Sequence, residues 1–437
     1  MVDWSIGRTV GWSDGGGLLS QYSGSVSCAT IPLQRIVLVG LAMQFISNIN
    51  AYKLPTRGAA AAAAVALLPV LCILSFINGS AAHIGARQRI NAYGDVNDDV
   101  TVNVNAENTR PIIGILTQEV SNFVLRHYPE KDYKSYIAAS YVKFVEGAGG
   151  RVVPIWIGRE KEYYEDIMSK INGVLLPGGA TYFNQSRGYA DAGQHIYNIA
   201  IEMNEAGTYM PIWGTCLGYE LMIYLTANRT DLRTECSSSA QALPLEFEKG
   251  YNNSRLFGNA SAEVLHILST YNVTVNFHIF CFTKETFAMY DLNKYWDVLS
   301  VNNDWYGAEF ISTVEHVKYP FYGVQFHPEK ILYEFIPNRN ITHTSQAVIA
   351  SQYFADFFVN EVRKNRHSFA NRTEEIDALI YNYQPVYTGA KGSAFVQQYL
   401  FEAYNASTSS AFLAGATQWH CLLALITICV VGAWRRV

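Results

Sequence analysis

The chain has no run of five or more like charges and no basic excess, since 32 Lys+Arg against 37 Asp+Glu leave a net charge of −5. That excludes the basic face of a nucleic-acid binder and leaves neither a basic arm nor an acidic tail. Glycine (32) and proline (13) are not in excess over 437 residues, so collagen-like and low-complexity classes are out. Charged residues make up 16% and hydrophobic residues 49%. This is too apolar for a disordered chain and ample for a buried core. Cysteine is scarce, with seven in all, which is not a disulfide scaffold.

What is present is segmented. Residues 1–58 read as an extension and the start of a leader. Residues 59–82 read as the core and exit of a secretory signal: Ala59 to Ile77 carries no charge, Lys53 and Arg57 precede it, and Ser80-Ala81-Ala82 follow. Met43 is an in-frame start that gives a leader of ordinary length, so residues 1–42 read as an upstream extension. A retained signal-anchor is the alternative, because nineteen apolar residues just span a bilayer. Residues 83–108 read as a polar linker, 109–368 as one globular domain and 369–420 as a polar stalk. Residues 421–437 form an apolar tail closed by Arg435-Arg436-Val437. The tail reads as a lipid-anchor signal or as part of a membrane helix, with a disordered tail as a third option.

Beyond the signal segment, eight Asn-X-Ser/Thr sequons begin at Asn184, Asn228, Asn252, Asn259, Asn272, Asn340, Asn371 and Asn405. After a signal they predict a glycosylated, exported protein. Cys28, Cys72, Cys421 and Cys429 lie in the extension, the signal and the tail, which leaves Cys216, Cys236 and Cys281 in the globular domain. An odd number in an oxidising compartment leaves at least one thiol unpaired.

The globular domain alternates. Strand-like runs at Arg110–Leu116, Arg151–Ile155, Gly173–Leu176 and Met210–Trp213 are interleaved with helical patterns at Ser135–Ala148, Glu160–Lys170, Asp191–Ala206 and Leu217–Thr226. Short apolar strands in a βαβα rhythm predict a mostly parallel sheet covered on both faces. After about residue 240 the pattern turns to strands, and a helix over 344–364 closes the domain with Ala350, Phe354, Phe357, Phe358 and Val362 as its stripe.

The sharpest local signal is Trp213-Gly214-Thr215-Cys216-Leu217-Gly218-Tyr219-Glu220. A Gly-X-Cys-X-Gly between a strand and a helix has the logic of a nucleophile elbow. The helix N-terminus favours a thiolate there, and the Leu217 N–H faces the same space. Gly323-Val324-Gln325-Phe326-His327-Pro328-Glu329 ends a later strand. Parallel sheets gather their functional loops at the carboxyl ends of strands, so His327 can face Cys216 as its base, with Glu329 orienting the imidazole. Pro177-Gly178-Gly179 follows another strand and offers backbone N–H groups to an oxyanion.

In this order and spacing, Leu-Leu-Pro-Gly-Gly, Trp-Gly-Thr-Cys-Leu-Gly and Gly-Val-Gln-Phe-His-Pro-Glu resemble the class I glutamine amidotransferase superfamily. Within it the chain is more similar to the γ-glutamyl hydrolases (folylpolyglutamate hydrolases), through stretches such as Tyr136–Lys143, Asn276-Phe277-His278, Glu309–Thr313 and Phe357–Lys364. The resemblance covers roughly residues 109–368. It implies an α/β three-layer sandwich with a mostly parallel central sheet, flavodoxin-like in outline. It implies Cys216 as nucleophile, His327 as base and acid, and Glu329 as third member. Gly179 and Leu217 become oxyanion donors, and His278, Glu220 and Tyr141 become substrate-pocket candidates. No cofactor and no metal is implied. The implied substrate is a folylpoly-γ-glutamate. A membrane reached through the tail is a candidate partner read from the tail itself, which departs from the family's usual arrangement, and a second copy in a homodimer is another. A glutaminase-type amidotransferase domain and an inactive surface binding module are the rival readings.

Overall fold

The computed structural model describes residues 107–337 and 339–402. The extension, the signal segment, nearly all of the linker, Asn405 and the apolar tail lie outside the described residues.

Along the chain come β1 (Ile112–Leu116), β2 (Gln118–Glu119), β3 (Tyr133–Ala138), β4 (Arg151–Ile155), β5 (Gly173–Leu176), β6 (Ile212–Thr215) and β7 (Thr234–Leu243). They are followed by β8 (Glu246–Phe247), β9 (Thr274–Cys281), β10 (Trp296–Asn303), β11 (Glu309–His316), β12 (Phe321–Val324), β13 (Pro385–Val386) and β14 (Gln398–Glu402). Eight of them form the central sheet in the order β4-β1-β5-β6-β12-β11-β10-β8. From β4 to β12 every pairing is parallel, and from β12 to β8 every pairing is antiparallel.

β1, β5, β6 and β12 are buried along their whole length, which is why they are largely apolar. Their side chains alternate between two cores. Ile112, Val174, Ile212 and Phe321 point to one side, where the helices Lys161–Met168, Tyr189–Glu205 and Leu217–Thr226 pack. Ile113, Leu175, Trp213 and Tyr322 point to the other, under Ala139–Gly147, Ala262–Thr270 and Ser345–Val362. The result is the expected three-layer α/β sandwich. The last of these helices starts where the Thr344 side chain accepts the Ala347 N–H. Ala350, Phe354, Phe358 and Val362 of its stripe are buried, and Phe357 is half-buried.

Two expectations are corrected. Ser135–Ala148, read as one helix, is strand as far as Ala138 and helix from Ala139 to Gly147. Its first part is held as β3 by β14 on one side and β2 on the other, and a remote strand leaves no local signal. Residues 369–402, read as part of a stalk, are folded onto the domain. Asn371 caps a helix at Arg372–Ala378, β14 pairs with β3, and Leu379, Ile380 and Phe401 are buried. A few spaced apolar anchors hold this stretch, so its average polarity hides them.

Among the described residues no helix is long and apolar enough to cross a membrane. The seven sequon asparagines among them are all exposed. Cys236 and Cys281 form a disulfide between β7 and β9, and Cys216 is free.

Candidate active site

β5, β6 and β12 are neighbours in the sheet and run the same way. Their carboxyl ends therefore open on one edge, and Gly178, Cys216 and His327 follow those three ends. The fold thus brings together residues more than a hundred positions apart in sequence.

Cys216 stands between β6 and the helix Leu217–Thr226 with φ 49° and ψ −109°. A non-glycine residue there costs on the order of 1–3 kcal/mol, and its surroundings enforce the conformation. Its N–H donates to Val324 O at 2.7 Å, and its carbonyl accepts the Glu220 N–H at 2.9 Å. The flanking glycines are demanded by backbone contact. A Cβ on Gly218 would lie 1.9 Å from Leu176 O, and one on Gly214 would lie 2.7 Å from the Gly218 carbonyl. The elbow read from the sequence is present, with Cys216 buried at 5% exposure.

His327 Nδ1 lies 2.8 Å from Glu329 Oε1, both side chains being buried. A carboxylate accepts, so Nδ1 carries the proton and Nε2 is left as the basic nitrogen. A Cβ on Gly178 would lie 2.8 Å from His327 Cε1 and 3.1 Å from Cys216 Cβ. The imidazole and the thiol therefore flank one small space that only a glycine leaves open. Tyr141 closes it. Its hydroxyl accepts the Gly178 N–H at 2.8 Å and lies 3.4 Å from His327 Nδ1. Gly179 N–H makes no hydrogen bond within the described residues, and Leu217 N–H points at the Cys216 sulfur.

Two pocket candidates are engaged elsewhere. Glu220 accepts from Gln325 Nε2 and from Arg233, both at 2.9 Å. His278 lies near the disulfide, with Nδ1 3.0 Å from Phe280 O and 3.4 Å from Cys236 Sγ, and Nε2 3.2 Å from Asn276 Oδ1. Neither lines the cavity described next.

Sequence reasoning missed several neighbours. Gln325 Nε2 lies 3.7 Å from Cys216 Sγ and ties the thiol to Glu220. Arg233 continues that line with a bidentate bond to Asp231 and a place over the Phe183 ring. Gln118, between Pro177 O at 3.0 Å and Tyr136 OH at 3.2 Å, occupies the space beside Gly179. A cavity of about 460 Å³ opens in front of His327 and Gly179. Phe277, Lys330 and Arg339 line it, and so do Ser393 and Phe395 of the C-terminal stretch. Gln325 sits inside, and Lys330 directly after, a motif that was read for its histidine, and Phe277 stands in a stretch quoted only for the resemblance.

Burial dominates the electrostatics. It pushes the Cys216 thiol well up, with help from the Glu220 and Glu329 charges, and the Leu217 N–H opposes it only in part. The expectation that the helix terminus favours a thiolate is thus corrected, because burial outweighs the Leu217 N–H. Burial likewise pushes His327 down, against the pull of Glu329. Both shifts favour the uncharged forms of the thiol and the imidazole. Glu220 is raised by burial in spite of Arg233 and Gln325. His278 is pushed down to about 3 by burial and by the neighbouring His327. Among the described residues no group of three or more His, Cys, Asp or Glu is arranged to hold a metal ion.

A cysteine at a strained strand-to-helix bend, faced by a His–Glu pair on a mostly parallel sheet, defines a class of thiol hydrolase. The chain belongs to the peptidase C26 family, whose model matches residues 111–329. The particular proteins it is similar to are γ-glutamyl hydrolases. The one from Homo sapiens is 43% identical over 294 residues, 67% of this chain and 90% of that protein. The one from Bos taurus is 44% identical over 294 residues, with the same two shares. γ-Glutamyl hydrolase B of Dictyostelium discoideum is 37% identical over 310 residues, 71% of this chain and 88% of that protein.

Proposed function

We propose that this protein is a cysteine-dependent γ-glutamyl hydrolase that cleaves the γ-glutamyl amide bonds of folate and antifolate poly-γ-glutamates. The observation that carries the chemistry is the shared space of Cys216 and His327 beside Gly178. The relatives' names carry the γ-glutamyl bond, and the family resemblance carries the folate.

His327 Nε2 takes the Cys216 proton as the sulfur attacks the amide carbon. Glu329 stabilises the imidazolium. The Gly179 and Leu217 N–H groups receive the oxyanion, each worth about 3 kcal/mol. The C–N bond breaks as the imidazolium protonates the departing amine, which leaves a γ-glutamyl thioester. His327 then deprotonates a water that attacks the thioester, releasing the γ-carboxylate and restoring the thiol.

Replacing Cys216 with Ala tests the reading. The expected outcome is a loss of γ-glutamyl release by at least about 10⁴-fold with the circular dichroism unchanged; undiminished hydrolysis would end the proposal. An assay for ammonia from free glutamine separates it from a glutaminase. We also infer export, with the lysosome or vacuole, or the extracellular space, as destination and the apolar tail as the means of any membrane attachment. The exposed sequons and the Cys236–Cys281 disulfide support it. Mass spectrometry of both ends of the mature protein tests this.

A further inference from the structure

The cleft holds a cation that makes no direct ion pair. Lys330 is 6% exposed, yet its ammonium forms no hydrogen bond and no ion pair within the described residues. It contacts rings instead, lying 4.3 Å from the centroid of Phe395 and 5.6 Å from that of Phe277. The carboxylates nearest it in sequence are committed elsewhere. Glu329 takes His327 Nδ1, and Glu334, which feels the Lys330 charge without pairing to it directly, accepts the Val396 N–H at 2.6 Å. Arg339 brings a second cation to the same Phe277 ring at 6.0 Å. Both cations line the cavity in front of His327, and no Asp or Glu lines it. A buried ammonium that makes no direct ion pair is costly to keep, and a desolvated cation facing an open cavity is pre-organised for an anion.

We propose that Lys330, with Arg339, forms a subsite for the α-carboxylates of the γ-linked glutamate chain, with Phe277 and Phe395 as its walls. This rests on the γ-glutamyl hydrolase reading and adds the substrate feature that is recognised. Each residue of such a chain spends its side-chain carboxyl in the amide and leaves its α-carboxylate free, so the anion recurs at every link. Lys330 follows Glu329 directly. The residue that orients the base and the residue that anchors the substrate thus share one turn of the helix Pro328–Tyr333. Phe395 reaches the subsite from the C-terminal stretch, beyond the residues matched by the family model.

The test is binding of γ-linked triglutamate to the Cys216→Ala protein by calorimetry. Adding Lys330→Met is expected to weaken binding about tenfold, Lys330→Arg to restore most of it, and Arg339→Met to weaken it about threefold. The losses should vanish for a triglutamate whose α-carboxylates are converted to amides. Undiminished affinity in Lys330→Met, an equal loss for the free and amidated chains, or no binding to the parent would each overturn the subsite. Should Lys330→Met fail to fold, the exposed Arg339→Met decides by the same comparison. Hydrolysis keeps the two readings apart. A Cys216→Ala protein that still cleaves the amide ends the thiol mechanism whatever Lys330 does. Unchanged binding in Lys330→Met ends the subsite while the thiol mechanism stands.

Discussion

The parallel strands β5, β6 and β12 and the C-terminal stretch ending in β14 both reach the cleft, yet they are held there differently. The strands are buried on both faces, and each carries its site residue on the first residues beyond its end. The C-terminal stretch lies against the rim. It is fixed by the β14–β3 ladder, by Gln397 O accepting the Ala139 N–H at 2.9 Å, and by Gln398 bonded to Thr388 and Ser393. Rigid, desolvated strands suit the reacting atoms, which tolerate little displacement. A polar, hydrogen-bonded wall suits a substrate that has to enter and leave. Damage to the first region should therefore strike turnover, and damage to the second should strike substrate affinity.

The sharpest way to break that contrast is Gly218→Ala. Its Cβ would meet the Leu176 carbonyl, which is backbone and cannot swing aside. We expect kcat to fall at least about a hundredfold and stability to drop by about 1–3 kcal/mol, as measured by steady-state kinetics and urea unfolding. A variant with kcat near that of the parent would show that the bend does not control the sulfur.

Glu329→Gln is next. Burial holds His327 below the usual imidazole value, and the Glu329 charge opposes that depression. Without the charge the imidazole becomes harder to protonate, so the acid limb of kcat/KM should move to lower pH. The imidazolium formed in the reaction also loses its partner, and kcat should fall about ten- to a hundredfold. A limb that moves upward contradicts the assigned partnership.

The mildest test falls on the wall. Gln398→Ala removes both bonds that tie β14 to Thr388 and Ser393. It should raise KM about threefold and change kcat less. The reverse split would place the C-terminal stretch with the reacting groups.

The two regions also differed in how far they could be read from sequence. The helix Leu217–Thr226 was expected with the bounds it has, because an apolar strand, a glycine-flanked bend and an apolar helix are all local signals. The meeting of Cys216 and His327 followed from the parallel topology alone. β3 was misread because its partner, β14, lies more than two hundred residues away. The wall was misread because Leu379, Ile380 and Phe401 are too sparse to show a period. The line from Cys216 through Gln325 and Glu220 to Arg233 was invisible for another reason, since three polar side chains on separate elements meet only after the sheet is built. Lys330 stood in plain view, but sequence cannot show that a buried ammonium has been left without a direct ion pair.

The β14–β3 pairing has one more consequence. A chain leaving the ribosome carries its sulfur long before it carries Ser393, Phe395 and Gln398. The nascent chain thus holds its reacting groups early and completes this wall of its pocket only when β14 arrives.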